Sequence, residues 1–362
     1  MQRKIYLIAI GFFLLGITGI AISQQVGPFV KYEGNPIIEP QGTGFEQKAV
    51  FNPAAIVQND TIYLLYRAED TTGEGQWNGT SRIGLAWSTD GTNFTRRPEP
   101  VIFPEYGYET PGGCEDPRIV KVGNTYYLTY TAYDGHTARL SLATSQDLIH
   151  WNKYGPILPT WGWSKSGAIL AEKINGQYIM YFGDSNIWIA HSNDLIHWTV
   201  DSVAVMGPRS GYFDAHLVEP GPPPVLTEEG DILLIYNGAD SQRYSTGWVL
   251  LSKNNPRQIL ARAEEPILLP EQSWERFGQV PNVVFSEGLV NYKDTWYLYY
   301  GGADTRIGVA RCEGPIITAY DDPLTRLGVI LQPQGSGFER DHVFNPSVIV
   351  EADTMYMIYR AE

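Results

Sequence analysis

Carboxylates recur at one kind of place in this 362-residue chain. Asp116 lies in Glu115-Asp116-Pro117-Arg118, Glu219 stands before Pro220, and Glu287 lies in Ser286-Glu287-Gly288. Each stands at the step into a short apolar segment. The equivalent steps elsewhere carry Asn52 and the pair Lys165-Ser166. Asp240 and Asp304 close a second motif, Gly-Ala-Asp, and Arg67-Ala68-Glu69-Asp70 fills that place near the N-terminus. An Asp before Pro is by itself only a common turn residue. If the steps converge on one cavity, three carboxylates suit acid–base cleavage of a glycosidic bond. One acid protonates the leaving oxygen while a second carboxylate activates water or attacks. Crowding also drives their pKa values apart, which separates acid from base.

Convergence needs a repeating scaffold, and the chain has one. A Pro- or Gly-containing step, a short apolar strand, a polar turn and an aromatic strand ending in Tyr recur five times. The closing tyrosines are Tyr66, Tyr130, Tyr181, Tyr236 and Tyr300. A third strand follows, often closed by an aromatic turn such as Asp147-Leu148-Ile149-His150-Trp151 or Asp194-Leu195-Ile196-His197-Trp198. No stretch past residue 23 holds a helical period for three turns. Repeats of this size with three or four strands each predict an all-β fold, a five-bladed β-propeller over residues 28–314, with inner strands lining a central funnel. A sandwich of irregular hairpins is the competing arrangement. Pro117 predicts extended backbone at Asp116. A general acid there needs a raised pKa, from burial or nearby carboxylates.

Residues 40–69 and 333–362 align without a gap and share 19 of 30 positions. The segment 327–362 therefore reads as an extra, partial blade that duplicates the first repeat. It either begins a second propeller or packs outside the closed ring.

Composition bounds the partners. Lys+Arg 26 against Asp+Glu 40 gives a net charge of −14. That disfavours nucleic acid, whose phosphates need a basic face. Arg3 and Lys4 precede an apolar run from Ile5 to Ile22, and small residues follow at Ala21-Ile22-Ser23. This predicts a signal peptide over 1–23 and an exported, periplasmic or secreted protein. An uncleaved signal would be the one membrane contact. Only Cys114 and Cys312 occur, with no CxxC, so no disulfide framework, metal site or redox site is expected. No nucleotide or flavin motif is visible, and no cofactor is expected.

The motifs Phe51-Asn52-Pro53-Ala54, Tyr66-Arg67-Ala68-Glu69-Asp70, Glu115-Asp116-Pro117-Arg118, Gly221-Pro222-Pro223-Pro224, Pro281-Asn282-Val283-Val284-Phe285 and Tyr300-Gly301-Gly302-Ala303-Asp304 span all five repeats. Together they resemble glycoside hydrolase family 130, the five-bladed mannoside phosphorylases and β-mannosidases. The resemblance implies a β-linked manno-oligosaccharide substrate. It implies Asp116 as general acid, acting through the sugar's own 3-hydroxyl, with Asn52, Arg67 and Asp304 holding the mannosyl ring. Family phosphorylases resemble Tyr-His-Gly where this chain has Tyr236-Asn237-Gly238. They carry a basic pair where this chain keeps only Lys165. Asn237 and Lys165 are thus expected to face substrate. With Glu219 and Glu287 adding negative charge, the departures resemble the family's hydrolases. The expectation is inverting release of mannose from β-mannosides, β-1,2-linked ones foremost, with Glu219 the first choice for the base and Glu287 the second. Phosphorolysis to mannose 1-phosphate and a non-catalytic sugar-binding propeller are the alternatives.

Overall fold

The structure is a computed structural model that describes residues 23–72, 79–320, 341, 343–351 and 354–361. The expected signal segment up to residue 22 lies outside the described residues. Internal contacts divide the chain into two units, Gln24–Thr318 and a second made of Met1–Ser23 with Ala319–Glu362.

The larger unit is nearly all-β. After β1 (Ser23–Val26) and β2 (Val30–Lys31), strands come in antiparallel groups. The first holds β3 (Ala49–Gln58), β4 (Thr61–Glu69), β5 (Ser81–Ser88) and β6 (Thr95–Arg96). The second holds β7 (Gly113–Val122), β8 (Thr125–Tyr133), β9 (Ala138–Ser145) and β10 (Asn152–Pro156). The third holds β11 (Ala168–Ile169), β12 (Tyr178–Phe182), β13 (Trp188–Ser192) and β14 (Thr199–Val200). In the fourth, β15 (Leu217–Pro220) and β16 (Val225–Leu226) both pair with β17 (Ile232–Ala239), followed by β18 (Tyr244–Leu251) and β19 (Ile259–Arg262). One short helix, α1 (Ser273–Arg276), precedes β20 (Val284–Tyr292), β21 (Thr295–Gly302) and β22 (Arg306–Glu313). The N-terminal β2 completes this last sheet by pairing with β22. The chain then enters β23 (Ile317–Tyr320).

Neighbouring groups pack through their first and second strands: β3 on β7, β7 on β11, β12 on β15, β17 on β20, and β20 back on β3. Strands covered on both sides lose the in–out alternation of a solvated sheet, and every residue of β17 is buried. Where the first two groups meet, Ser81 bridges Gly113 in parallel. Gly113 has φ +117°, and a Cβ there would fall 2.2 Å from the Ser81 carbonyl oxygen, so only glycine fits.

The recurring tyrosine now has a physical reason. Tyr66, Tyr130, Tyr236 and Tyr300 are fully buried, and each hydroxyl donates to a buried carboxylate: Glu46, Glu109, Asp214 and Glu275. A cation closes each pair: Arg96 on Glu46 at 2.7 Å, Lys153 on Glu109 at 3.0 Å, Arg262 on Asp214 at 2.6 Å and Lys31 on Glu275 at 2.7 Å. Buried polar groups need such partners. Gly84, Gly247 and Gly308 stand across the ladder from Tyr66, Tyr236 and Tyr300 and leave room for their rings. The third group departs: Tyr181 donates to the Pro256 carbonyl instead, at 2.8 Å. The aromatic turns are locked by aspartates. Asp147 accepts from the backbone of Ile149 and His150 while Trp151 Nε1 donates to Leu148 O, and Asp194 with Trp198 repeats this.

In the smaller unit, β24 (Val343–Glu351) and β25 (Thr354–Ala361) form a hairpin. Its register, Val343 opposite Ala361 with a shift between Phe344 and Ser347, matches Val50 opposite Ala68 with a shift between Phe51 and Pro53 in β3–β4. The duplicated sequence thus makes the same bulged hairpin. Both cysteines are buried, unpaired thiols.

Candidate active site

Bulges in the inner strands aim the site residues. Register shifts fall between Phe51 and Pro53, Glu115 and Arg118, and Ser286 and Gly288. The residues so displaced are Asn52, Asp116 and Glu287. Asn52 and Asp116 both have φ +48°, Ser166 has φ +57° and Asp304 φ +52°. A left-handed backbone at a non-glycine residue is costly and concentrates at functional sites. The extended conformation expected at Asp116 is therefore wrong. The bulge overrides the bias from Pro117 and turns the carboxyl off the strand's regular alternation.

Asn52, Asp116 and Asp304 meet in one cavity of about 280 Å³. Its walls include Asn52, Arg67, Asp116, Lys165, Glu219 and Asp304 from the expected set, with Glu69, Glu115, Trp163, Tyr244 and Gln279. Arg67 organises the floor. It reaches Glu69 at 2.6 Å, Glu115 at 3.1 Å and Asp116 at 3.2 Å. Asn52 Nδ2 donates to Asp116 Oδ1 at 2.9 Å. Lys165 Nζ lies 3.9 Å from the other Asp116 oxygen. Ser166 donates a short hydrogen bond to Glu219.

Two expected residues sit elsewhere. Glu287 is fully buried and is not on the cavity wall; Arg118 pairs with it at 3.0 Å. Arg118 is itself anchored by donating to the carbonyls of Pro220 and Gly221, next to Glu219. Asn237, expected to contact substrate, is fully buried and spent on the backbone. Its Nδ2 donates to Ser286 O at 3.0 Å and its Oδ1 accepts from Ser286 N at 2.8 Å. It positions the segment leading into Glu287. Asp240 only caps its own turn, accepting from Gln242 N and Arg243 N.

The protonation pattern corrects another expectation. Burial alone would raise Asp116, but Arg67, then Lys165 and the Asn52 hydrogen bond outweigh it and hold its carboxyl below the ordinary range. The raised groups are its neighbours. Burial lifts Glu115, against the pull of Arg67 and with the repulsion of Asp116. Burial also brings Asp304 up to about 7, and raises Glu219 and Glu287 against the opposing cations Lys165 and Arg118. Burial thus favours a proton on Glu115 and the facing cations favour charge on Asp116.

Tyr244, Gln279 and Glu69 escape the sequence reading. Tyr244 and Gln279 lie outside the repeated steps; Glu69 is hidden in the Arg67 motif. No group of His, Cys, Asp and Glu able to hold a metal ion occurs among the described residues.

The family profile described as beta-1,4-mannooligosaccharide phosphorylase matches residues 30–319. The chain belongs to glycoside hydrolase family 130. A 1,2-beta-oligomannan phosphorylase of Thermoanaerobacter sp. (strain X514) is 41% identical over 77% of this chain and 95% of its own. A beta-1,2-mannobiose phosphorylase of the same strain is 39% identical over 78% and 96%. One similar family 130 structure was described with the statement that this family of mannoside phosphorylases contains glycoside hydrolases that target β-1,2 mannosidic linkages in Candida mannan. It is 38% identical over 80% of this chain and 94% of that one, with a TM-score of 0.74.

Proposed function

We propose that this family 130 protein cleaves β-mannosides, with β-1,2-linked manno-oligosaccharides as substrate and water as acceptor. The five strand groups act as five blades of a closed ring, a reading supported by the cyclic packing of each group on the next. The observation that carries the choice of water is the charge of the cavity. Five carboxylates line it, Glu69, Glu115, Asp116, Glu219 and Asp304, against two cations, Arg67 and Lys165. Arg67 is already shared among three carboxylates. Phosphate needs cationic ligands with charge to spare, whereas water needs a base.

In this mechanism Asn52, Arg67 and Asp304 hold the mannosyl ring and Asp116 is the acid. Sugar entry displaces water and raises Asp116 by desolvation, so the proton that burial favours on Glu115 moves onto it. Asp116 then donates through the 3-hydroxyl to the leaving oxygen. Glu219, on the wall and beside Lys165, takes the proton from water as it attacks from the opposite face, giving inversion. Glu287 sits behind it with Arg118.

Phosphorolysis is the alternative, and the comparisons favour it over hydrolysis, since the relatives at 41% and 39% identity are named phosphorylases. Incubation with β-1,2-mannobiose, with and without phosphate, decides between them. Free α-mannose as the first product in both buffers is expected. Mannose 1-phosphate as the main product would establish the alternative, and β-mannose as the first product would overturn the inverting mechanism.

A further inference from the structure

We propose that Trp163 is the stacking platform for the sugar on the leaving-group side, so that cleavage is efficient only when the leaving group is itself a pyranose. This deepens the β-mannoside reading above and rests on it. Trp163 lines the cavity yet is 44% exposed, which puts it at the opening. Its nearby tryptophans differ. Trp161 packs edge-on against Phe182 and Trp188, at 5.4 and 4.9 Å between ring centres, and belongs to the core.

Several attachments fix Trp163 before any ligand arrives. Its Nε1 donates to Asp184 Oδ2 at 2.6 Å. The Tyr133 ring meets it edge-on at 6.4 Å. The next residue, Ser164, is laced to β9: its N donates to Ala138 O at 3.1 Å and its Oγ accepts from Leu140 N at 2.9 Å. Gly183 N donates to Lys165 O at 3.0 Å. One turn, Gly183-Asp184, therefore holds both the indole and the lysine that approaches Asp116.

The indole N–H is spent on Asp184, so what the ring offers a ligand is its apolar face. Sugars present C–H faces that pack on aromatic rings, and a rigid platform loses little entropy on binding. The space argues the same way. A cavity of about 280 Å³ is at the small end for a ligand site and holds one hexose over the polar floor. A second ring must lie at the opening, where Trp163 stands.

The test compares β-1,2-mannobiose with β-mannosyl fluoride, whose leaving group is too small to reach the indole. Trp163→Ala is expected to lower kcat/KM on mannobiose by about 10-fold or more, chiefly through KM. Its rate on the fluoride should stay within about twofold of wild type. Trp163→Phe should restore most of the loss. Equal losses on both substrates, or no loss on mannobiose, would overturn the assignment. Trp163→Leu keeps more of the volume and serves if the Ala variant does not fold. The functional reading is tested first and separately: wild-type enzyme that leaves mannobiose intact, with or without phosphate, defeats that reading before any variant is made.

Discussion

Asp116 and Asp304 show how one guanidinium sorts neighbouring carboxyls. Arg67 lies 3.2 Å from Asp116 and, against burial, holds its carboxyl below the ordinary range, while burial holds Asp304 up at about 7. Replacing Asp116 with Asn should cut turnover by at least about 10²-fold, as loss of an acid–base group does, with an unchanged unfolding transition. Near wild-type turnover would remove it from the mechanism. Asp304 has a stability signature of its own. The folded state binds its proton up to about 7 and the unfolded state only to about 3.8, so stability falls as pH rises through that window. Asp304→Asn should therefore unfold at a higher temperature than wild type at pH 8, show no such gain near pH 4, and lose activity. Equal thermal shifts at both pH values would show that its ionisation carries no such cost. For the base, Glu219→Gln should be nearly inactive, whereas Glu287→Gln, behind the wall on Arg118, should keep far more of the turnover. The reverse pattern would exchange their roles.

At the scale of elements, the tyrosine–carboxylate–cation clasp stitches a group's second strand to the loop beside it. Glu275 shows the design: it accepts from Tyr300 at 2.8 Å, from Lys31 at 2.7 Å and from the backbone of Glu271 and Gln272. Lys31 belongs to β2, the N-terminal strand of the last sheet, so this clasp also secures the closing strand. Tyr300→Phe strands one acceptor of a buried carboxylate and should cost about 1–3 kcal/mol in denaturant unfolding. The same change at Tyr181, whose partner is a backbone carbonyl beside no carboxylate, should cost less. Equal losses would mean that ring packing, not the carboxylate, carries the effect.

For the whole molecule, the division into two units makes a direct prediction. Gln24–Thr318 holds every residue of the candidate site, and the bulged hairpin β24–β25 belongs to the other unit. A chain ended after Tyr320 should fold and keep wild-type kcat/KM on β-1,2-mannobiose. A truncated protein that is folded but inactive would show that the duplicated hairpin contributes to catalysis.

Sequence by itself determined the strand repeats, the family and six polar residues of the cavity wall. Inner-strand steps recur with the apolar pattern, and polar residues placed at equivalent steps must converge when the strands do. Asn52, Asp116, Lys165 and Glu219 were legible for that reason, and Arg67 and Asp304 because they recur just past the aromatic strands. Tertiary structure decided the rest. A local rule about the residue before proline could not foresee the bulge that turns Asp116 to φ +48°, because bulges arise from how two strands register. Nor could spacing tell that Asn237 spends its amide on Ser286, that Glu287 sits behind the wall, or that Asp116 and Glu69 are lowered while Glu115, Glu219 and Asp304 are raised. Those facts depend on which cation lies within a few ångströms of which carboxylate, and electrostatic interaction follows distance in space rather than position along the chain.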